Sequence, residues 1–328
     1  MKRTEVSART ATVIGNHQGR VRVGVIGAGV FGGYHAQKFA SSAHAEFVGV
    51  FDLNQEAAGK VIAKVGKGEV FGTFDAIANA CDALVIATPA SSHATLTRRA
   101  LEAGKHALVE KPLALTGVEA RGLAKLALEK DLVLSVGHQE RLVFQAMGLF
   151  GTGERPLRIE GVRMGPASPD GRCEDVSVVF DLMIHDLDLT AELFGGEVKG
   201  VDGAGFSSHT RLLDQASAEL LFANNGHAKL TASRCAEKRE RWMKIEYASG
   251  VVEIDFITRQ VKNTTKFDIR ADVSAILPDP LKAADEAFVA AIQGRAAPVI
   301  TGGVGARAAA MAEMVETCAM AATTVAAA

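Results

Sequence analysis

From Val21 onward, short apolar runs alternate with longer amphipathic stretches. The runs VRVGVIG (21–27), AEFVGVFD (45–52), DALVIAT (82–88), HALVE (106–110) and LVLSVG (132–137) are rich in β-branched residues and almost free of charge. Strands buried on both faces of a parallel sheet have this pattern. Between them, 55–65, 92–103 and 118–130 read as helices, the last announced by Thr116 and Glu119 at capping-box spacing. Parallel strands need crossover connections, so the first 137 residues predict a doubly wound sheet with helices on both faces. After Arg141 the texture changes. A helical stretch to Phe150, a strand at 157–164 and a helix at 179–194 precede a run of strand-like segments. Segments 214–222 and 227–234 flank Asn224-Asn225-Gly226, and Ala248-Ser249-Gly250 separates two more, which predicts an antiparallel meander. Helices at 281–292 and 305–322 close the chain, and the alanine-rich end repeats Met311, Met314, Val315 and Met320 at helical spacing.

The fold class predicted is therefore α/β, with a parallel sheet over 21–137 and a second domain over 138–328 built on a large, mostly antiparallel open sheet. At 328 residues and 48% hydrophobic content the chain has material for two cores. A formal charge of -2 with no basic block excludes the footprint of a nucleic-acid binder. Cys81, Cys173, Cys235 and Cys318 form no CxxC pair, so no metal site is expected, and buried thiols in a reducing compartment are the plainer reading. Residues 1–20 lack the apolar run of a secretory signal and predict a flexible, frayed extension. No window approaches the roughly 20 apolar residues of a membrane span, which points to the cytoplasm.

Gly27-Ala28-Gly29-Val30-Phe31-Gly32 follows a strand and opens a helix. Glycines at these places allow a tight turn, close approach of a pyrophosphate and close helix packing, while the helix start offers its amides to phosphate. Asp52 ends the second strand, twenty positions after Gly32, where a carboxylate accepts from ribose hydroxyls. Together these are the marks of a Rossmann dinucleotide site. The carboxylate repels a ribose phosphate and neither Leu53 nor Asn54 supplies an Arg, so NAD is favoured over NADP. Thr88, Pro89, Ser91, Ser92 and His93 close or follow the run 82–88 and line the nicotinamide side of the crevice, or, for Ser91, cap the next helix.

Glu110-Lys111-Pro112 stands at the end of a strand, where open α/β sheets hold ligands. A cation at Lys111 is suited to stabilising negative charge on a reacting oxygen. In Asp181-Leu-Met-Ile-His185-Asp186-Leu-Asp188, an α-helix would put Asp181, His185 and Asp188 on one face, with Asp181 orienting His185 as a general base and favouring its protonated form. Gln139, Glu140 and Arg141 follow the run 132–137, with Gln139 and Arg141 expected on the substrate side, and Arg163 and Arg172 either fork onto a substrate anion or form surface ion pairs.

With these residues in view the chain resembles the Gfo/Idh/MocA oxidoreductases, through GAGVFG (27–32), ATPASSH (87–93), EKPLA (110–114) and DLMIHDLDL (181–189). Within that family, VGHQERL (136–142), RMGP (163–166), DVSVVFDLMIHDLD (175–188) and DPLKAADEAF (279–288) look most like the UDP-N-acetylglucosamine 3-dehydrogenase group. The resemblance implies a tightly held NAD and a secondary hydroxyl of a sugar as substrate, oxidised at C3 if that substrate is UDP-N-acetylglucosamine. It implies Lys111, Asp181 and His185 as the catalytic set, and an open sheet that assembles dimers or tetramers. Met183 stands where many relatives have a smaller residue, and the expectation is that it narrows the substrate pocket. Dehydrogenases of free sugars or inositol, an NAD-dependent glycosidase and a non-catalytic dinucleotide sensor share the fold. An apolar sheet face left uncovered in a monomer is the expected driver of self-association.

Overall fold

In the computed structural model, residues 17–168 and 174–326 are described. The first sheet takes β1 (Val21–Ile26), β2 (Ala45–Phe51), β3 (Glu69–Phe71), β4 (Ala83–Ile86), β5 (His106–Val109) and β6 (Leu134–Val136), all parallel, in the order β3-β2-β1-β4-β5-β6. The order reverses between β1 and β4, so the crevice opens at their carboxyl ends. Helices α1 (Val30–Ala40), α2 (Gln55–Val65), α3 (Phe74–Ala80), α4 (His93–Glu102) and α5 (Gly117–Glu129) form the crossovers. Polar residues start several of them: Asn54 accepts from the Ala57 amide, Thr73 from Ala76 and Thr116 from Glu119. At α5 the Thr116 hydroxyl also donates to the Glu119 carboxylate at 3.0 Å. The third strand and α3 are too short to show a period in sequence.

The second half begins with α6 (Glu140–Met147) and β7 (Arg158–Met164); a π turn (Val179–Met183) runs into α7 (Ile184–Phe194). Then follow β8 (Val198–Phe206), β9 (Gln215–Phe222), β10 (His227–Ser233), β11 (Glu240–Tyr247), β12 (Gly250–Asp255) and β13 (Gln260–Asn263). The sheet order is β13-β12-β11-β7-β10-β9-β8, antiparallel except for β7 beside β10. Ile159, Leu220, Phe222, Leu230, Met243, Ile245 and Val252 point inward and form one core with Ile184, Leu187, Ala312 and Val315 of the covering helices. The chain then returns to its first half. Phe288, Val289 and Ile292 of α8 (Pro280–Ile292) join the core around β1 and β2, and α9 (Gly302–Ala326) packs on α5 as well as on β8 and α7.

The outer face of the second sheet is not the wholly apolar surface expected: a charged row crosses it between rows that carry Leu221, Val251, Val162 and Trp242. Across six strands, register places Glu219, Lys229, Glu160, Lys244, Glu253 and Lys262 in one row of alternating sign. Alternation with buried neighbours turns this row outward, because side chains change face at each residue of a strand. The expected frayed extension is also partly fastened. The His17 amide donates to the Ile292 carbonyl at 3.2 Å, and Gln293 Nε2 donates to the Gly19 carbonyl at 2.6 Å. Residues 1–16 lie outside the described residues.

Candidate active site

A cleft of about 1140 Å³ lies at the carboxyl ends of β1, β4 and β5, with Asp175, Val176, Phe180 and Asp181 of the second half as its far wall. Its floor is the glycine turn. Gly27 has φ +103, and a Cβ there would stand 2.4 Å from the Ala87 carbonyl oxygen. One on Gly32 would stand 2.0 Å from the Gly27 carbonyl oxygen, so this glycine lets α1 close on the turn. A Cβ on Gly29 would meet nothing within 4 Å, which leaves open space at the positive end of α1, where Gly29 caps the helix without a side chain.

Asp52 is fixed at the rim: its carboxylate accepts from the Ala28 amide at 2.6 Å and the Asn54 amide at 2.7 Å. Val30, Phe31, Thr88, Pro89 and Ser91 line the cleft. Ser91 bridges its two walls, its amide and hydroxyl donating to Asp175 at 3.2 and 3.3 Å. Ser92 and His93 also line the cleft, and the nearly fully buried His93 ring has its nitrogens 2.7 Å from the Pro112 carbonyl oxygen and 2.9 Å from that of Thr88. These features fit a dinucleotide, and the carboxylate at the rim fits unphosphorylated ribose. Arg99 also lines the cleft but stacks on Phe74 and pairs with Asp75 at 2.7 Å.

At the inner end, Lys111 Nζ donates to the Asp181 backbone carbonyl at 2.6 Å and to its carboxylate at 3.0 Å, joining the two halves. The Lys111–Pro112 peptide is cis. Behind the lysine, His35 lies between two buried carboxylates, Asp285 at 2.8 Å and Glu110 at 3.2 Å. Burial alone would hold this ring neutral, but the carboxylates outweigh it and lift its pKa to about 10. Burial also opposes ionisation of Glu110, yet His35 and Lys111 hold its carboxyl below the ordinary range. Gly137 makes room for it, since a Cβ there would fall 2.9 Å from Glu110 Oε1.

The π turn separates the expected stripe on the Asp181–Asp188 segment. Asp181 bonds Lys111, His185 faces Glu140, whose Oε2 is 3.8 Å from Nδ1, and Asp188 takes a 2.8 Å bond from Arg141 Nε. The expected protonation of His185 is also corrected. Burial, then Arg163, Lys111, His138 and Arg241, push its pKa well below 6.5, so the ring is neutral at neutral pH. Two arginines expected on the substrate side are committed elsewhere: Arg163, offered for a substrate anion, forks onto Glu140 and Asp186 at 2.8–3.1 Å, and Arg141 bonds Asp188 and Glu192. Met183 is fully buried in the second core and does not narrow a pocket. Gln139 caps α6 and is half-buried, while Arg172 lies outside the described residues.

Residues 21–138 match an oxidoreductase family with an NAD-binding Rossmann fold, and residues 157–253 match the GFO/IDH/MocA C-terminal domain. UDP-N-acetylglucosamine 3-dehydrogenase of Acidithiobacillus ferrooxidans is 39% identical over 239 residues, 72% of this chain and 74% of the relative. The chain belongs to the Gfo/Idh/MocA oxidoreductase family. The solved structure of that Acidithiobacillus enzyme superposes with a TM-score of 0.82 at 34% identity, covering 92% of this chain and 99% of the other. The scyllo-inositol 2-dehydrogenase (NAD(+)) of Bacillus subtilis is 28% identical over 231 residues, 66% of this chain and 68% of the relative. As a Gfo/Idh/MocA enzyme the protein is an NAD-dependent dehydrogenase of CH–OH groups. Among the described residues no cluster of three or more His, Cys, Asp or Glu is placed to hold a metal, and no helix is long and apolar enough to cross a membrane.

His35, Asp285, His138 and Arg241 are site neighbours that sequence reasoning missed, whereas Glu140 is singled out there beside Gln139 and Arg141. His35 had a signal, falling on the helix of the glycine fingerprint three residues after Gly32. The others come together only through long-range folding.

Proposed function

We propose that this dehydrogenase oxidises the C3 hydroxyl of UDP-N-acetylglucosamine, with Lys111, Asp181 and His185 as its working side chains. The observation that carries the reading is the Lys111–Asp181 pair at the inner end of the NAD cleft, where Lys111 is bonded at 2.6 and 3.0 Å. Bound NAD supplies the hydride acceptor. His185, neutral at working pH, takes the hydroxyl proton, and Lys111 stabilises the alkoxide character that grows on the oxygen. Asp181 holds the ammonium in place.

An anionic substrate is supported by Arg241, a half-buried guanidinium that forms no ion pair among the described residues and whose Nε is buried without a hydrogen-bond partner. It lies directly across the strand ladder from Arg163. Glu140 and Asp186 face Arg241 but are bonded to Arg163, so a diphosphate can take up the hydrogen-bonding capacity that a neutral polyol matches less well. The similarity to the Acidithiobacillus enzyme points the same way. Comparing NADH formation from UDP-N-acetylglucosamine, UDP-glucose and scyllo-inositol tests the assignment; fastest turnover of the inositol would replace it. Self-association through the charged sheet face, to a homodimer or homotetramer, belongs to the same proposal, as does a cytoplasmic location, consistent with free Cys81, Cys235 and Cys318.

A further inference from the structure

His138 lies between β6 and α6, is 1% exposed, and neither of its ring nitrogens has a hydrogen-bond partner. Asp188, equally buried at 1%, leaves Oδ1 without one, and His185 leaves Nδ1 without one. These atoms belong to neighbouring side chains. His138 Nδ1 is 3.9 Å from Asp188 Oδ2, which accepts from Arg141 Nε at 2.8 Å and so leaves Oδ1 for the ring, and the His138 and His185 rings meet edge-on with centroids 6.3 Å apart. Buried polar atoms in folded proteins are nearly always bonded. Four unbonded ones around the base therefore mark a set whose hydrogen bonds form in another state of the enzyme. Catalytic hydrogen bonds are commonly long before substrate binds and tighten in the reactive complex.

We propose that His138, itself held by Asp188, orients His185 for catalysis; the inference rests on His185 being the base. One His138 nitrogen accepts the Nδ1–H of His185, and the other donates its N–H to Asp188. In this carboxylate–imidazole–imidazole chain the His185 proton is fixed on Nδ1, so Nε2 presents its lone pair to the substrate hydroxyl. When Nε2 takes that proton, the Nδ1 proton shifts toward His138 and the His138 proton toward Asp188. Only N–H and O–H bonds change, and positive charge is drawn away from a base faced by Lys111, Arg163 and Arg241. Glu140 is the competing orienter, at 3.8 Å from Nδ1, but both of its oxygens already accept from Arg163 at 2.9 and 2.8 Å. Asp181, assigned this role by spacing, is bonded to Lys111.

The test is nitrogen-15 NMR of the His185 ring in enzyme saturated with NADH, with and without UDP-N-acetylglucosamine, a complex unable to turn over. The Nδ1–H tautomer is expected in the wild type and a mixture in His138→Phe and Asp188→Asn. In both variants kcat should fall on the order of 10²-fold, the low end for acid–base groups, with NAD binding unchanged. His138→Gln, which keeps a donor and an acceptor, should recover part of the loss, and it carries the same readout if His138→Phe does not fold. The proposal is overturned if His138→Phe keeps the tautomer while Glu140→Gln loses it, or if His138→Phe turns over like the wild type. Wild-type turnover in His185→Ala would instead remove the base beneath this reading.

Discussion

A cationic lysine and an uncharged histidine divide one proton transfer between them, and their charges set the expected mutant behaviour. Lys111→Met should lower kcat far more than it weakens NAD binding, because the ammonium acts on charge that develops only as hydride leaves. His185→Ala should lose about 10²- to 10⁴-fold in kcat, the range of acid–base groups. The sign of the pH dependence follows from the depressed His185 pKa. The base works when unprotonated, so kcat/KM should stay level as pH falls through 6.5 and decline only well below it. An acid limb centred at or above 6.5 would contradict the placement. Asp52 argues for tighter NAD than NADP binding by calorimetry, and Asp52→Ala should narrow the gap by removing repulsion. Residues whose placement depends on a neighbouring strand or turn, such as Asp52, Gly32 and Lys111, were legible in sequence. Arg163 and Arg141 were not, because their carboxylate partners lie on other elements, 23 and 47 positions away.

At the scale of elements, one turn redirects the catalytic helix. Helical spacing located the 179–194 segment correctly, but it assumed 3.6 residues per turn throughout, and the wider turn at Val179–Met183 lets Asp181 reach Lys111 while His185 faces Glu140. The His35 imidazolium similarly ties three elements: the cofactor helix α1, the strand end that carries Glu110, and α8 through Asp285. His35→Phe leaves two buried carboxylates without their cation and should destabilise the fold by about 3–5 kcal/mol in denaturant titration. Because the folded pKa of about 10 lies above the model-peptide value of about 6.5, this contribution is fully present below about 6.5 and fades as pH rises through about 10. Stability differences between wild type and variant that grow with pH would contradict the charged staple.

At the scale of the whole molecule, alternation of strand and helix identified the first sheet because each βαβ unit is local in sequence. The return of α8 to the first core was not legible, since an apolar helix face does not reveal which sheet it covers. The division at residue 137 therefore separates sheets better than it separates stretches of chain, and removing residues beyond 279 should abolish NAD binding along with the substrate site. The charged row on the outer face was likewise hidden, because the cross-strand register that aligns Glu160 with Lys229 and Lys244 exists only after pairing. A row of alternating sign is self-complementary across a twofold axis. Sedimentation at micromolar concentration should show a dimer or tetramer weakened by Lys244→Glu, and a monomer alone would count against assembly through this face. The most direct measurement of the central claim mixes the enzyme with NAD and UDP-N-acetylglucosamine, follows NADH by absorbance and identifies the sugar product by mass spectrometry. Stoichiometric NADH and a product two hydrogens lighter are expected, both lost in Lys111→Met; no NADH from UDP-N-acetylglucosamine, or equal turnover in Lys111→Met, would contradict it.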